Sequence, residues 1–216
     1  MMPDVFDYKK AYKDLYAPKT KPSVIDVPEM VFIMADGKGD PNTSAAYKNA
    51  IEALYALSYG IKMSKMGGNP PDGYFEYVVP PLEGLWWFEG GTLFHGGALA
   101  DKGRFCWTSM IRQPEFVTAE VFESAKNALG KKKPQLDLTA TRLAGFTEGL
   151  CVQIMHIGPY DDEPATIRVM GDFVIHNGYK NDFSETRKHH EIYLGDPRKT
   201  APEKLKTIIR HPIAKQ

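Results

Sequence analysis

The sequence predicts an α+β fold made of two similar halves with antiparallel strands. Three observations carry this. Two long helical patterns each sit inside a cluster of short strand-like runs. Those runs follow one another at hairpin spacing, which favours antiparallel pairing over a parallel wound sheet. The chain has 216 residues, 43% of them hydrophobic, enough for one substantial core.

Residues 1–26 read as an extended lead-in, because Pro3, Pro18 and Pro22 rule out a long helix. Residues 27–35 (VPEMVFIMA) are the first strand, ended by the turn-forming residues 36–41. Asn42, Thr43 or Ser44 then caps a helix that runs to about residue 66. On it, Tyr47, Ile51, Leu54, Ser58 and Ile61 recur at three- and four-residue spacing and form one stripe. Tyr55, Tyr59 and Met63 form a neighbouring one. Strand candidates follow at residues 74–79, 85–88 and 104–112, and the Gly-rich residues 90–103 read as a mobile hairpin loop. Thr118 caps a helix over residues 119–129, closed by Gly130 and three lysines that suit a helix C-terminus. The second half repeats the plan. Strands at residues 138–147 and 150–157 meet at Glu148-Gly149, and a helix capped by Asp161 or Asp162 runs to residue 177, with Gly178 as its stop. Residues 187–194 and 205–213 are the last strands.

The charge balance is 27 Lys+Arg against 27 Asp+Glu. Direct nucleic-acid binding, which draws on a surplus of Lys and Arg, is therefore not expected. The polar, charged start has no apolar signal core, and no apolar run approaches the ~20 residues of a membrane span, so the chain reads as cytoplasmic with no membrane partner. Cys106 and Cys151 read as buried free thiols. No cofactor is expected. Gly37-Lys38-Gly39 lacks the spacing of a phosphate loop, and there is no G-x-S-x-G or H-E-x-x-H. No metal is expected either, since His189 and His190 point to opposite faces of a strand and cannot chelate together.

The strand around Glu191 is more informative. By alternation, Ile192 and Leu194 share a face with His190, while Glu191 and Tyr193 share the other with His189. Two readings remain: a carboxylate on a solvated strand, or one held among aromatics, where desolvation raises its pKa. The segment YFEYVVPPLEGLWWF (residues 74–88) supplies aromatics, from a total of 11 Phe, 11 Tyr and 3 Trp. Trp86 and Trp87 must face opposite sides of a regular strand. Trp107 aligns with Phe105 and Ser109.

The closing runs HHEIYLGDP (residues 189–197) and LKTIIRHPI (residues 205–213) resemble the C-terminal signature of the GyrI-like small-molecule-binding superfamily. The stretches YALSY, IKMSKM and PPLEGLWW resemble a stand-alone branch of it, the cyclopropanoid cyclopropyl hydrolases. The resemblance implies two strand-helix-strand-strand modules forming a curved antiparallel sheet, with two long helices on one face and a ligand groove at the pseudo-twofold. It implies an N-terminal extension over residues 1–26 and one domain over 27–216, with halves of about 27–116 and 117–216. For function it implies hydrolytic opening of the cyclopropane in yatakemycin- and duocarmycin-type DNA-alkylating genotoxins, a detoxification. Glu191 would act as general base and Tyr55 would orient the water. Trp86, Trp87 and Trp107 would wall the substrate, with Tyr59, Tyr193 and Phe88 as further binding residues. The implied partner is a small, flat, apolar or amphipathic ligand. The alternative is a module that sequesters amphipathic cationic drugs without turnover.

Overall fold

The computed structural model describes residues 5–68, 70–90 and 102–216. Its helices are α1 (Tyr8–Ala11), α2 (Lys13–Tyr16), α3 (Ala45–Lys62), α4 (Ala119–Lys132) and α5 (Glu163–His176). Its strands are β1 (Ser23–Lys38), β2 (Leu82–Phe88), β3 (Phe105–Arg112), β4 (Thr141–Ile157), β5 (Tyr179–Asn181), β6 (His189–Tyr193) and β7 (Lys206–Lys215). Six strands pair antiparallel in the order β4-β1-β3-β2-β6-β7, and a further β4–β7 pairing closes them into a ring, with β5 added along β7. Closure follows from length: β1 has 16 residues and β4 has 17, enough for each to pair with the other on one edge and a second strand on the opposite edge.

Each half runs strand, helix, strand, strand: β1-α3-β2-β3, then β4-α5-β6-β7 with the short β5 inserted between α5 and β6. The two-module α+β expectation is what the chain adopts, and α4 links the modules and packs on α3. Details differ. The strands placed at residues 138–147 and 150–157 are one strand. Gly149 takes φ +71 opposite Val27, and pairing continues in unchanged register on both sides. Residues 74–79, flanked by proline pairs, form only an isolated parallel bridge from Tyr77 to Phe6. The lead-in contains two single-turn helices, and β1 begins at Ser23. Most of the glycine-rich loop lies outside the described residues. Ser44 is the cap of α3, its hydroxyl accepting from Tyr47 N at 3.2 Å, an interaction that contributes ~1 kcal/mol. The two cysteines are free; Cys151 is buried and Cys106 half-buried. No helix among the described residues is long and apolar enough to cross a membrane.

The pairing registers sort the side chains into two faces. Ala35, Ser109, Gly84, Glu191, Ile209 and Ile154 lie in one row across β1, β3, β2, β6, β7 and β4. That face carries both long helices. Tyr47 of α3 packs on Trp86 and Trp107, and Ile167, Met170 and Val174 of α5 join Val152, Ile154, Ile209 and Ile213. The other face carries Met34, Met110, Glu83, Ile192, Ile208 and Met155. Helix α2 closes against it, with Leu15 and Tyr16 buried and the Tyr16 hydroxyl 3.3 Å from Glu83 Oε1.

A buried charge network joins that second face. His190 Nε2 lies 3.0 Å from Glu83 Oε2, and its Nδ1 lies 3.0 Å from Glu148 Oε2. Arg210 reaches the same Glu148 oxygen at 3.3 Å and bonds Gln153 Oε1 at 3.0 Å and the Leu15 carbonyl. Gln153 Nε2 in turn donates to the Asp14 carbonyl at 2.7 Å. Burial opposes the charge on His190, but the two carboxylates outweigh it and hold its pKa up at about 9. Burial likewise opposes ionisation of Glu148, and His190 and Arg210 outweigh it, taking its pKa down to about 2.

The linkage has a definite sign. A histidine raised from 6.5 to about 9 binds its proton more tightly folded than unfolded, so its contribution is full below pH 6.5 and lost as pH rises through about 9. The thermal midpoint should therefore fall between those values, and less steeply in His190→Gln. A wild-type midpoint flat or rising across that window would contradict the assignment.

Candidate functional site

Glu191 sits in the middle of β6, on the helix-covered face, opposite Gly84 on one side and Ile209 on the other. It is 8% exposed. Both carboxylate oxygens are held by neighbours two residues away on the same strand face. The Tyr193 hydroxyl donates to Oε2 at 2.7 Å, and His189 Nε2 lies 2.8 Å from Oε1. The bonds continue outward. Trp86 Nε1 donates to the Tyr193 hydroxyl at 2.9 Å, and His189 Nδ1 lies 2.7 Å from His211 Nε2 on β7.

A second buried carboxyl faces this one. Glu163, the first residue of α5, is 5% exposed and lies beside Glu191 and Thr207. Burial, then the charge of Glu191, raises its pKa well above the carboxylate range. Glu191 moves the other way. Burial alone would raise it, but the hydrogen bond and charge of His189, followed by bonds from Tyr193 and Glu163, bring it down. Of the pair, Glu191 is therefore the member that favours the charge and Glu163 the member that favours the proton. Glu163 Oε1 takes no hydrogen bond from a described donor, which suits a group that supplies its own proton. The sequence expectation that desolvation would raise the Glu191 pKa is therefore reversed, and the raised pKa belongs to Glu163.

Two tyrosines complete the surroundings. Tyr47, in the first turn of α3, has its ring 5.8 Å from Trp86 and 5.0 Å from Trp107. Burial, then the charge of Glu191, raises its hydroxyl pKa. Tyr160, just before α5, packs edge-on to Tyr193 at 5.8 Å and is raised to about 12 by burial, then by Glu191 and Glu163. The first turns of the two long helices thus converge on one carboxylate, where the positive end of a helix dipole favours negative charge.

The sequence-chosen residues divide. The structure brings together Glu191, Tyr193 and Trp86. Trp107, 1% exposed, and Phe88, 5.2 Å from Phe105, lie on the same face further from Glu191. Trp87 is on the opposite side of β2, pairing with Cys106, and Lys188 Nζ lies 5.0 Å over its ring. It cannot share a wall with Glu191, because neighbours on a strand alternate faces. Tyr55 and Tyr59 stack at 6.4 Å on the outer side of α3, 36% and 50% exposed. Burial raises the Tyr55 pKa first, and the charges of Tyr59, Asp196 and Arg198 also reach it, which places it near the β6–β7 connection.

Glu163, Tyr47, Tyr160 and the His189–His211 pair were not chosen from sequence. Asp161 and Asp162 are the cap candidates in the sequence, yet Asp162 makes no side-chain capping bond, and the acid buried beside Glu191 is the next residue, Glu163. Tyr47 was assigned to the core stripe; it is half-buried and is the tyrosine of α3 whose hydroxyl the Glu191 charge reaches. Glu163, His189 and Glu191 each offer one ligand atom within 4.8 Å of the others. His189 and Glu191 are already bonded to each other there, so a cation would have to break the network that holds the carboxylate.

Gly84 makes the arrangement possible. A Cβ on it would fall 2.7 Å from Trp86 Nε1 and 3.2 Å from the Tyr193 hydroxyl. Gly84→Ala should therefore displace the indole, change its fluorescence and lower stability by about 1–3 kcal/mol in urea unfolding. Unchanged fluorescence and stability would contradict this close approach.

A family model described as the GyrI-like small molecule binding domain matches residues 20–214. Among solved structures, the chain is similar to an uncharacterized conserved protein from Listeria innocua, with 52% identity and TM-score 0.91 over 97% of this chain and 100% of that one. It is also similar to a hydrolase from Listeria innocua, with 50% identity and TM-score 0.87 over 97% and 100%. The C-terminal domain of EcmrR shares the fold alone, at 13% identity and TM-score 0.52 over 91% and 98%. No curated protein sequence matches the chain.

Proposed function

Since the chain belongs to the GyrI-like small-molecule-binding domain family, we propose that it is a hydrolase of flat, strained electrophiles, opening the cyclopropane of yatakemycin- and duocarmycin-type genotoxins. The observation that carries the reading is the buried acid pair, with Glu191 ionised, Glu163 protonated, and aromatic rings around them. The likeness to a Listeria innocua hydrolase at 50% identity supports the reaction class, and the resemblance of the Trp-Trp segment to the cyclopropyl hydrolases supports the substrate.

In this mechanism the ligand displaces Tyr47 and Tyr160 and stacks on Trp86, with Trp107 behind Tyr47 as further apolar wall. A water held by Glu191 and Glu163 attacks the cyclopropane methylene. A carbon–oxygen bond forms there, a ring carbon–carbon bond breaks, and its electron pair flows into the dienone, which becomes a phenoxide. The water's proton passes to Glu191, and solvent protonates the phenoxide. Ring strain and aromatisation favour the products, so one positioned base, which contributes ~10²–10⁴-fold, carries the step. Glu163 keeps its proton and directs it at Glu191 and the water. Tyr55 and Tyr59 line the rim through which a ligand enters.

A second reading has its own support. An ionised carboxylate ringed by Tyr47, Trp86, Tyr160 and Tyr193 also suits a lipophilic cation, through charge and the π-faces. That protein would sequester its ligand.

Incubating the pure protein with a duocarmycin-type compound, with hydrated product followed by mass spectrometry, separates the two. Turnover should exceed buffer and fall ~10²–10⁴-fold in Glu191→Gln. Stoichiometric protection without turnover would leave only the sequestering reading. Full turnover by Glu191→Gln would remove the carboxylate from the mechanism.

A further inference from the structure

We infer that His211 is a positioning residue: acting through His189, it holds the Glu191 carboxylate and decides which member of the buried acid pair stays ionised. This inference rests on the reading of Glu163 and Glu191 as a working acid pair, and it assigns that pair's control to a residue that reaches it through His189.

The geometry comes from strand register. His190 pairs with Arg210 across the β6–β7 ladder, and the next pair outward on the helix-covered face is His189 and His211. Their bond, His189 Nδ1 to His211 Nε2, is 2.7 Å long, and His189 Nε2 continues 2.8 Å to Glu191 Oε1. His189 is 1% and His211 4% exposed. Phe183 packs edge-on against the His211 ring at 4.9 Å. Glu191, Glu163, His189 and His211 are therefore all buried, where an unmade hydrogen bond is costly.

Hydrogen-bond chemistry then fixes the roles. A carboxylate only accepts, so the bond to Glu191 requires the proton on His189 Nε2. In neutral imidazole this leaves Nδ1 bare, and a bare buried acceptor is costly. His211 Nε2–H removes that cost. When the pair takes up an extra proton, the same bond runs the other way and His189 becomes an imidazolium facing Glu191. In both states His211 lets His189 keep its proton on Glu191. Without it, His189 gains by moving its proton or ring away, and Glu191 loses its strongest donor.

Among the described residues, the other charged or titratable groups facing the acid pair are Tyr193 from β6, Tyr47 from α3, and Tyr160, with Asp161, from the turn before α5. Beyond Phe183, Asp182 and Arg187 are paired with each other. Facing His189 Nδ1 itself is His211 Nε2, at 2.7 Å.

The test uses the full chain labelled with ¹³C at its glutamate carboxyls, with the two signals assigned by Glu163→Gln and Glu191→Gln. In the wild type Glu191 should titrate well below Glu163. In His211→Leu the Glu191 titration should rise by about one pH unit, a ~tenfold change in proton affinity, and the two titrations should draw together. His211→Gln, whose carboxamide can donate or accept, should restore the separation. Folded His211→Leu with an unmoved Glu191 titration would overturn the inference. Should that variant fail to fold, long-range ¹H–¹⁵N spectra of the wild type decide. A proton on His189 Nε2 supports the inference, and a neutral His189 protonated on Nδ1 overturns it. Neither measurement uses substrate. A protein that turns nothing over yet shows the titration shift refutes the hydrolase reading alone.

Discussion

Two carboxyl groups buried against each other cannot both be charged, and much of this molecule is arranged around which one keeps its proton. Glu191 receives donors at both oxygens, from His189 and Tyr193, while Glu163 receives its environment mainly from burial and from the Glu191 charge. The asymmetry has structural sources. Glu191 lies on a central strand with same-face neighbours two residues away on either side. Glu163 lies at the start of a helix, where its side chain meets the sheet from above. The closed ring, the paired helices and the glycine opposite Glu191 are the means by which those two positions meet.

Strand β6 makes the arrangement all-or-nothing. Its alternation sends His189, Glu191 and Tyr193 to the helix-covered face and His190 and Ile192 to the other. His190 is clamped there between Glu83 and Glu148, in a network that extends through Arg210 and Gln153 to the backbone of α2. A slip of one residue would exchange the two sets, placing the wrong histidine at each cluster and leaving buried charges unpaired. The buried network on one face thus fixes the register that the site on the other face needs. It also gives α2 a definite role, since its Asp14 and Leu15 carbonyls complete the hydrogen bonding of Gln153 and Arg210.

Much of this was legible in the amino-acid sequence, and the failures have physical reasons. Strand alternation placed Glu191, His189 and Tyr193 together and set Trp86 against Trp87, because a period of two depends on nothing beyond the strand itself. The two-module plan was legible because helical and strand-like patterns repeat in order. The partner acid was not, because Glu163 is brought to Glu191 by the packing of α5 on the sheet, and no local spacing connects them. Tyr47 was hidden for a related reason: a residue in the first turn of a helix can belong to the apolar stripe and still aim its hydroxyl at a charge. Tyr55 looks suitable by stripe alone, yet it lies two turns further along α3, on its exposed outer side. The strand break assigned at Glu148-Gly149 took a turn-forming pair at face value, whereas the long pairing with β1 carries the strand straight through.

The proton between Glu163 and Glu191 is observed directly by neutron diffraction from a deuterated crystal near neutral pD. The expected result is a deuteron bonded to Glu163 and directed at Glu191, with both Glu191 oxygens bare and accepting from Tyr193 and His189. A deuteron on Glu191, or two bare carboxylates with a cation between them, would contradict it.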